Sequence, residues 1–298
     1  MSGDILVAAP APAAEPPRSG PTVGDRIRFV LRGIGQTLIT LGLVVLLFAV
    51  YEVWITNIFA HREQVKVYNA LHKEWLNGYD PLSLPSTGPH AIPPGTGIAV
   101  LYMPRLGDDY HFAIVQGSAV PDQSQLEKGP AHYADTQLPG QVGNFGVAGH
   151  RVGKGEPFLN IDKLRVGDAV IVETKTMWWI YEVLGSPPGA DPQDNTTPIP
   201  SKCTDANGNV TSANLKVPGR EIVDPGDGSV LLPVPNNPGC VPTKDALMTM
   251  TTCHPKFTAS QRMIIHARLV GQVKNNKHWI ETGKFPPVIM QLYKAVQG

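Results

Sequence analysis

From Gly33 to Tyr51 the chain carries no formal charge, a run of 19 residues. As a helix that run rises about 28 Å, close to the roughly 30 Å hydrocarbon core of a bilayer, so it fits a membrane span. Arg26, Arg28 and Arg32 precede it with no basic residue immediately after, and Tyr51 and Trp54 stand at the far end, where amphipathic rings prefer the interface. Glu52 is tolerable only at that boundary. A cleaved signal peptide would have a shorter apolar region, begin nearer residue 1 and end at an Ala-x-Ala site, and no such site stands out. The reading is a single-pass anchor in the cell membrane, with a cytoplasmic N-terminus and an extracellular body. Residues 1–32 are then a disordered, Ala-, Pro- and Gly-rich cytoplasmic tail, and residues 33–56 the transmembrane helix.

Beyond the anchor the chain is turn-rich. Proline and glycine make up 59 of 298 residues, about 20%, short of the roughly 25–30% of a disordered low-complexity chain. The 25 basic and 25 acidic residues balance, which argues against a nucleic-acid coat or a polybasic lipid binder. Residues 57–76 place Ile58, Phe59, Val65, Val67, Leu71 and Trp75 at loose helical spacing, as an amphipathic juxtamembrane helix or stalk would. Five prolines between Asp80 and Gly97 then mark a linker, so 57–96 reads as a connecting region.

After that linker the pattern changes to short β-branched and aromatic runs divided by turns: Ile98 to Met103, His111 to Val115, Asn144 to Ala148, Ala169 to Thr174, Trp178 to Leu184, Leu247 to Thr252 and Met263 to Val270. No helical period of 10–15 residues alternates with them, which argues against a doubly wound parallel sheet. The reading is an all-β, mostly antiparallel barrel or sandwich over 97–271. Residues 185–245 interrupt the rhythm with about 60 turn-forming residues, too many for an ordinary connection, and read as a surface insertion. Residues 272–298 form an external C-terminal extension.

Three cysteines rule out a disulfide-dense scaffold and a four-thiolate zinc site. Cys203 and Cys240 both lie in the insertion, outside the membrane by the topology argument, where oxidation is permitted. A bridge between them would close a long loop and contribute up to about 4 kcal/mol by chain entropy; two free thiols are the alternative. Cys253 is then left over. It ends an apolar run at His254-Pro255, and strand ends host chemistry more often than strand centres, although a free cysteine is commonly just a buried hydrophobe. Arg262 opens the next strand nine residues on, and His150 ends another in Gly149-His150-Arg151.

Taken together, Gly149-His150-Arg151, Thr251-Thr252-Cys253 and Arg262, in that order and spacing, resemble the sortases, membrane-anchored cysteine transpeptidases of Gram-positive bacteria. Tyr102-Met103-Pro104-Arg105-Leu106-Gly107 and Leu138-Pro139-Gly140-Gln141-Val142-Gly143-Asn144 are most similar to class E, the actinobacterial housekeeping type. The resemblance implies a closed eight-stranded β-barrel with short helices; it does not explain the insertion, which we place between the strands similar to the family's sixth and seventh, beside the substrate groove. It also implies Cys253 as nucleophile, His150 as general acid and base, and Arg262 as a substrate or oxyanion ligand. Tyr133, Thr251 and Thr252 are implied on the substrate side. The implied substrates are surface proteins with a C-terminal Leu-Ala-any-Thr-Gly or Leu-Pro-any-Thr-Gly signal, joined to a cell-wall or pilin amine, with no cofactor.

Several features stand beside that reading. Leu84-Pro85-Ser86-Thr87-Gly88 is itself a sorting-like pentapeptide, either by coincidence in a Pro-rich stretch or as a pseudosubstrate across the groove. Asp80-Pro81 is similar to the start of a pilin-sortase lid, but Leu82 replaces the aromatic of that motif. His111, His254 and His266 carry no assigned role, and no histidine pair has metal-ligand spacing with a third partner, so no metal is predicted. The alternatives are a non-catalytic anchored β-domain that binds a surface partner, and a pilin-polymerising subtype.

Overall fold

The computed structural model describes residues 23–51, 56–117, 123–205 and 207–297, so most of the expected N-terminal tail, with Glu52 and Trp54, lies outside the described residues. The chain divides into two units between Val50 and Tyr51. The first holds one helix, α1 (Val23–Val50), long and apolar enough to cross a membrane. It begins ahead of Gly33 and takes up Arg26, Arg28 and Arg32, which the sequence reading left in the tail. Arginine is a good helix former, and Asp25 in the first turn favours the helix N-terminus.

The second unit carries, in chain order, α2 (Thr56–Leu76), β1 (Gly97–Tyr102), β2 (His111–Gln116), α3 (Gln123–Leu126), β3 (Ala131–His132), β4 (Gly143–Ala148), β5 (Ala169–Glu173) and β6 (Met177–Val183). Next come β7 (Thr196–Thr204), β8 (Val210–Pro218), β9 (Arg220–Val223), β10 (Cys240–Pro242), β11 (Ala246–His254), β12 (Gln261–Lys274), α4 (Lys277–Thr282) and α5 (Pro287–Gln297). Eight strands pair in the order β11-β4-β3-β2-β1-β5-β6-β12, and β12 returns to β11 to close the barrel. All these pairings are antiparallel except β2–β3 and β4–β11. All seven strands expected from the sequence are present. The two-residue β3 is too short to leave a periodic signal.

Alternate residues of these strands point into one core, among them Leu101, Phe145, Val147, Val172, Met248, Met250 and Ile265. Strand β1 is buried on both faces: Ala99 and Leu101 face this core, while Val100 and Tyr102 face a second one. An apolar strand with both faces covered needs a layer on each side. The outer layer consists of Leu71 and Trp75 of α2, one helical turn apart, with Ile280 of α4 and Ile289 and Tyr293 of α5. Thus segments that looked like a linker and an external extension pack on the barrel. The Pro-rich stretch does so too, with Ile92 in the inner core and Leu82 and Leu84 against it.

This outer core contains a buried acid. Glu173 is 2% exposed and accepts hydrogen bonds from Tyr102 Oη (2.8 Å) and Asn275 Nδ2 (2.9 Å). Burial pushes its carboxyl up to about 7, against the pull of those two donors. A carboxyl raised in the folded state binds its proton more tightly folded than unfolded. Its stabilising contribution is full below the unfolded value of 4.5 and is lost as pH rises toward about 7. Melting temperature should therefore decline across that window, by a loss of about 3 kcal/mol at most, and Glu173→Gln should flatten the decline. A wild-type melting temperature equal at pH 5 and pH 8 would contradict this.

The insertion is more regular than its composition predicts. Strands β10-β7-β8 form a small antiparallel sheet over Ile199, Val217 and Val234, and β9 pairs with β12 as a ninth strand beside the barrel. Pro198 and Pro200 read as turn residues, yet they lie in β7 ahead of its pairing with β10, which starts at Ser201; on that side Pro200 only accepts, from Thr243 N at 3.0 Å. A proline lacks the N–H needed on a doubly paired stretch, and here it is tolerated. Cys203 and Cys240 face each other across β7 and β10 and form a disulfide, leaving Cys253 as the free thiol.

Candidate active site

Strands β4, β11 and β12 lie side by side and end at the same level. In β11, Met248 and Met250 enter the core, so Thr249, Thr251 and Cys253 share the outer face. Directly opposite on β12 stand His266, Ile264 and Arg262, which makes Cys253 and Arg262 cross-strand partners. On the other side Thr251 pairs with Ala148 of β4, and two residues beyond each are Cys253 and His150. Three strand ends thus bring together a half-buried free thiol, an imidazole and a guanidinium.

His150 comes directly after Gly149, where a Cβ would come within 2.5 Å of the Phe158 ring; glycine is what permits that close approach. The backbone returns from Phe158 N to His150 O at 3.0 Å and seats the ring. His150 Nε2 is buried and has no hydrogen-bond partner among the described residues. Burial lowers the pKa of the ring, the Lys154 charge adds to this, and Glu127 opposes it. The resting imidazole is therefore biased to the neutral form. Arg262 donates from Nη1 to the carbonyls of Ala259 and Gln261, both at 2.9 Å, and neither bond uses Nη2 or Nε.

Tyr133 Oη meets Thr251 Oγ1 at 2.9 Å. Burial raises the Tyr133 pKa, the Thr251 bond and the Arg262 charge lower it, and Cys253 raises it, so Tyr133 belongs to the same cluster. Thr252 alternates with Cys253 onto the inner face of β11. It is 3% exposed, and its hydroxyl donates to Gly149 O at 2.7 Å, tying the cysteine strand to the histidine strand. Leu84–Gly88 is held by Gln116 Nε2 on the Ser86 carbonyl at 3.0 Å. Among the described residues, no hydrogen bond or ion pair joins that segment to Cys253, His150 or Arg262. Asp80 caps the turn Pro81–Ser83 through Leu82 N.

The sequence motifs include Arg151 but assign it no role. It is 4% exposed and donates from Nη1 to the Cys253 carbonyl (3.3 Å) and to His254 Nδ1 (3.0 Å), while Nη2 pairs with Asp162 at 3.1 Å. The end of the cysteine strand is thereby pinned to the segment just after His150. Burial and the Arg151 charge lower the His254 pKa, which keeps Nδ1 an acceptor. The only sequence signal was adjacency to His150. No group of three His, Cys, Asp or Glu able to hold a metal occurs among the described residues.

A family model described as "Sortase domain" matches residues 101–270. The chain belongs to the sortase family. It is 31% identical over 254 residues to sortase SrtE1 of Streptomyces coelicolor, covering 83% of this chain and 59% of that protein. It is 33% identical over 161 residues to sortase SrtE2 of the same organism, covering 50% of this chain and again 59% of the relative. The chain therefore spans 59% of the length of each of these curated relatives. Among solved structures, the SrtF sortase from Corynebacterium diphtheriae is 37% identical with a TM-score of 0.50, covering 66% of this chain and 93% of that one. The sortase barrel and the class E likeness read from the motifs both stand. In this sortase the insertion enters between β6 and β11.

Proposed function

We propose that this sortase is a membrane-anchored cysteine transpeptidase acting on C-terminal sorting signals. The observation that carries the reading is the convergence of Cys253, His150 and Arg262 on three neighbouring strand ends of a sortase barrel. The Cys253 thiolate attacks the carbonyl carbon of a Thr–Gly bond while the thiol proton resides on His150. The tetrahedral intermediate collapses, the C–N bond breaks, and His150 gives its proton to the leaving glycine amine. A thioester remains. An incoming amine attacks it, His150 accepts that proton, and the thiolate leaves as the new amide forms. Arg262 stays charged throughout and offers N–H donors where negative charge develops on the oxygen. The α1 helix is the anchor, and the three arginines at its start favour a cytoplasmic N-terminus. The acceptor is an amine of a cell-wall precursor or a pilin. No cofactor enters the scheme.

The test is direct. The detergent-solubilised chain is mixed with Leu-Ala-Glu-Thr-Gly and Leu-Pro-Glu-Thr-Gly peptides, with and without an added amine, and Cys253 is monitored by mass spectrometry. A peptidyl thioester on Cys253 that is discharged by the amine is expected. Absence of an adduct with every sorting peptide would favour a non-catalytic binding domain.

A further inference from the structure

The strands that carry Cys253, His150 and Arg262 also carry a second polar row, about 13 Å along each strand at 3.3 Å per residue. Thr249 is four residues before Cys253 and His266 is four after Arg262; they are cross-strand partners on the same outer face. His266 is 1% exposed and Thr249 fully buried, so bulk water does not reach them. Each proton in this row can be accounted for.

Asn144 Nδ2 donates to the carbonyls of Val230 (3.2 Å) and Leu232 (3.0 Å), both in the insertion, which turns Oδ1 toward Thr249. The Thr249 hydroxyl has one proton, and it goes to Asn144 Oδ1 at 2.8 Å or to the longer Val230 carbonyl at 3.4 Å, both of which only accept. His266 Nδ1 lies 2.8 Å from the same hydroxyl oxygen, so Nδ1 must donate to it. His266 Nε2 lies 2.8 Å from Glu221 Oε1. Asn236 Nδ2 donates to both Glu221 oxygens, at 2.9 and 3.1 Å. Burial pushes the Glu221 carboxyl up, yet the hydrogen bonds from His266 and Asn236 hold it below the usual range. An ionised carboxylate only accepts, so Nε2 donates as well. Arg220 and Arg268 on the same strands are engaged by Asp191 and Asp245. Ser229 Oγ, between Asn236 Oδ1 and Asp227, extends the chain into the insertion.

We infer that His266 is held as an imidazolium and is a positioning residue: one N–H grips Thr249 on the Cys253 strand and the other grips Glu221 in the insertion. The seating of residues 185–245 thereby sets the alignment of Cys253 with His150 and Arg262. This role rests on the transpeptidase function proposed for the site; the protonation state does not. Gly146 lets the insertion approach, since a Cβ there would stand 2.9 Å from Leu231 Cδ2.

Two measurements decide it. Nitrogen NMR of the full, histidine-labelled chain in detergent at pH 7.5 is expected to show both His266 ring nitrogens protonated. A neutral ring would overturn the assignment. Glu221→Gln and the isosteric Thr249→Val are each expected to slow acylation of Cys253 by a sorting peptide roughly ten- to a hundredfold with little change in KM, and Thr249→Ser to retain the rate. Rates within twofold of wild type for both variants would overturn the positioning role, whatever happens to their melting temperatures. If the wild-type chain forms no adduct with any sorting peptide, the transpeptidase function fails and takes the positioning role with it, while the NMR result still decides the imidazolium.

Discussion

Cys253→Ser should reduce formation of the peptidyl adduct by about 10³-fold or more, to the background of the peptide alone. The substitution changes one atom in a half-buried position, so stability should stay within about 0.5 kcal/mol and the melting temperature should scarcely move. What is lost is the thiolate. A serine hydroxyl is far less acidic, and the neutral-biased His150 is too weak a base to ionise it. His150→Gln should retain the thiol but cost roughly 10²–10⁴-fold in the same assay, because proton delivery to the leaving amine is removed. A Cys253→Ser chain that cleaved sorting peptides at a rate near wild type would exclude covalent catalysis at this residue.

Arg151→Met should be the most damaging change outside the reacting groups. The guanidinium is almost fully buried and is shared by the Cys253 carbonyl, His254 and Asp162. Breaking a buried pair costs about 3–5 kcal/mol; Asp162 is one-third exposed and recovers some solvation, so about 2–3 kcal/mol is the expected loss. At about 2–4 °C per kcal/mol, the melting temperature should drop by roughly 4–12 °C. Acylation should slow by about 10²-fold, since the strand end bearing the nucleophile is no longer pinned beside His150. Arg151→Lys should recover little of that rate, because an ammonium on a flexible stem cannot hold three planar partners at once. A variant with the lowered melting temperature and an unchanged acylation rate would confine Arg151 to stability.

Arg151 and His266 also show where sequence reading reaches its limit. The seven longer barrel strands were legible because a strand records itself in the alternation of a few consecutive residues. The roles proposed for His150, Cys253 and Arg262 were legible only as a set, through order and spacing. Neither kind of signal extends to Arg151, whose partner Cys253 lies 102 positions away, or to His266, whose chain of bonds passes through Thr249 to Asn144, 105 positions further back. The prolines of β7 misled for a related reason. Whether a proline is tolerable depends on the neighbouring strand, which the local sequence does not specify.

The sequence by itself determined the apolar helix, the alternating strands, the candidate pair among the cysteines and the set of proposed reacting groups, because each depends on residue type and spacing. The tertiary structure decided that the connecting region and the C-terminal extension cover β1, that the Thr252 hydroxyl ties the Cys253 strand to Gly149, and that Arg151 pins the end of the Cys253 strand. Those outcomes are set by which strands become neighbours and in what register. Burial then fixes the rest, since a polar group removed from water must find its partner wherever the fold has placed one.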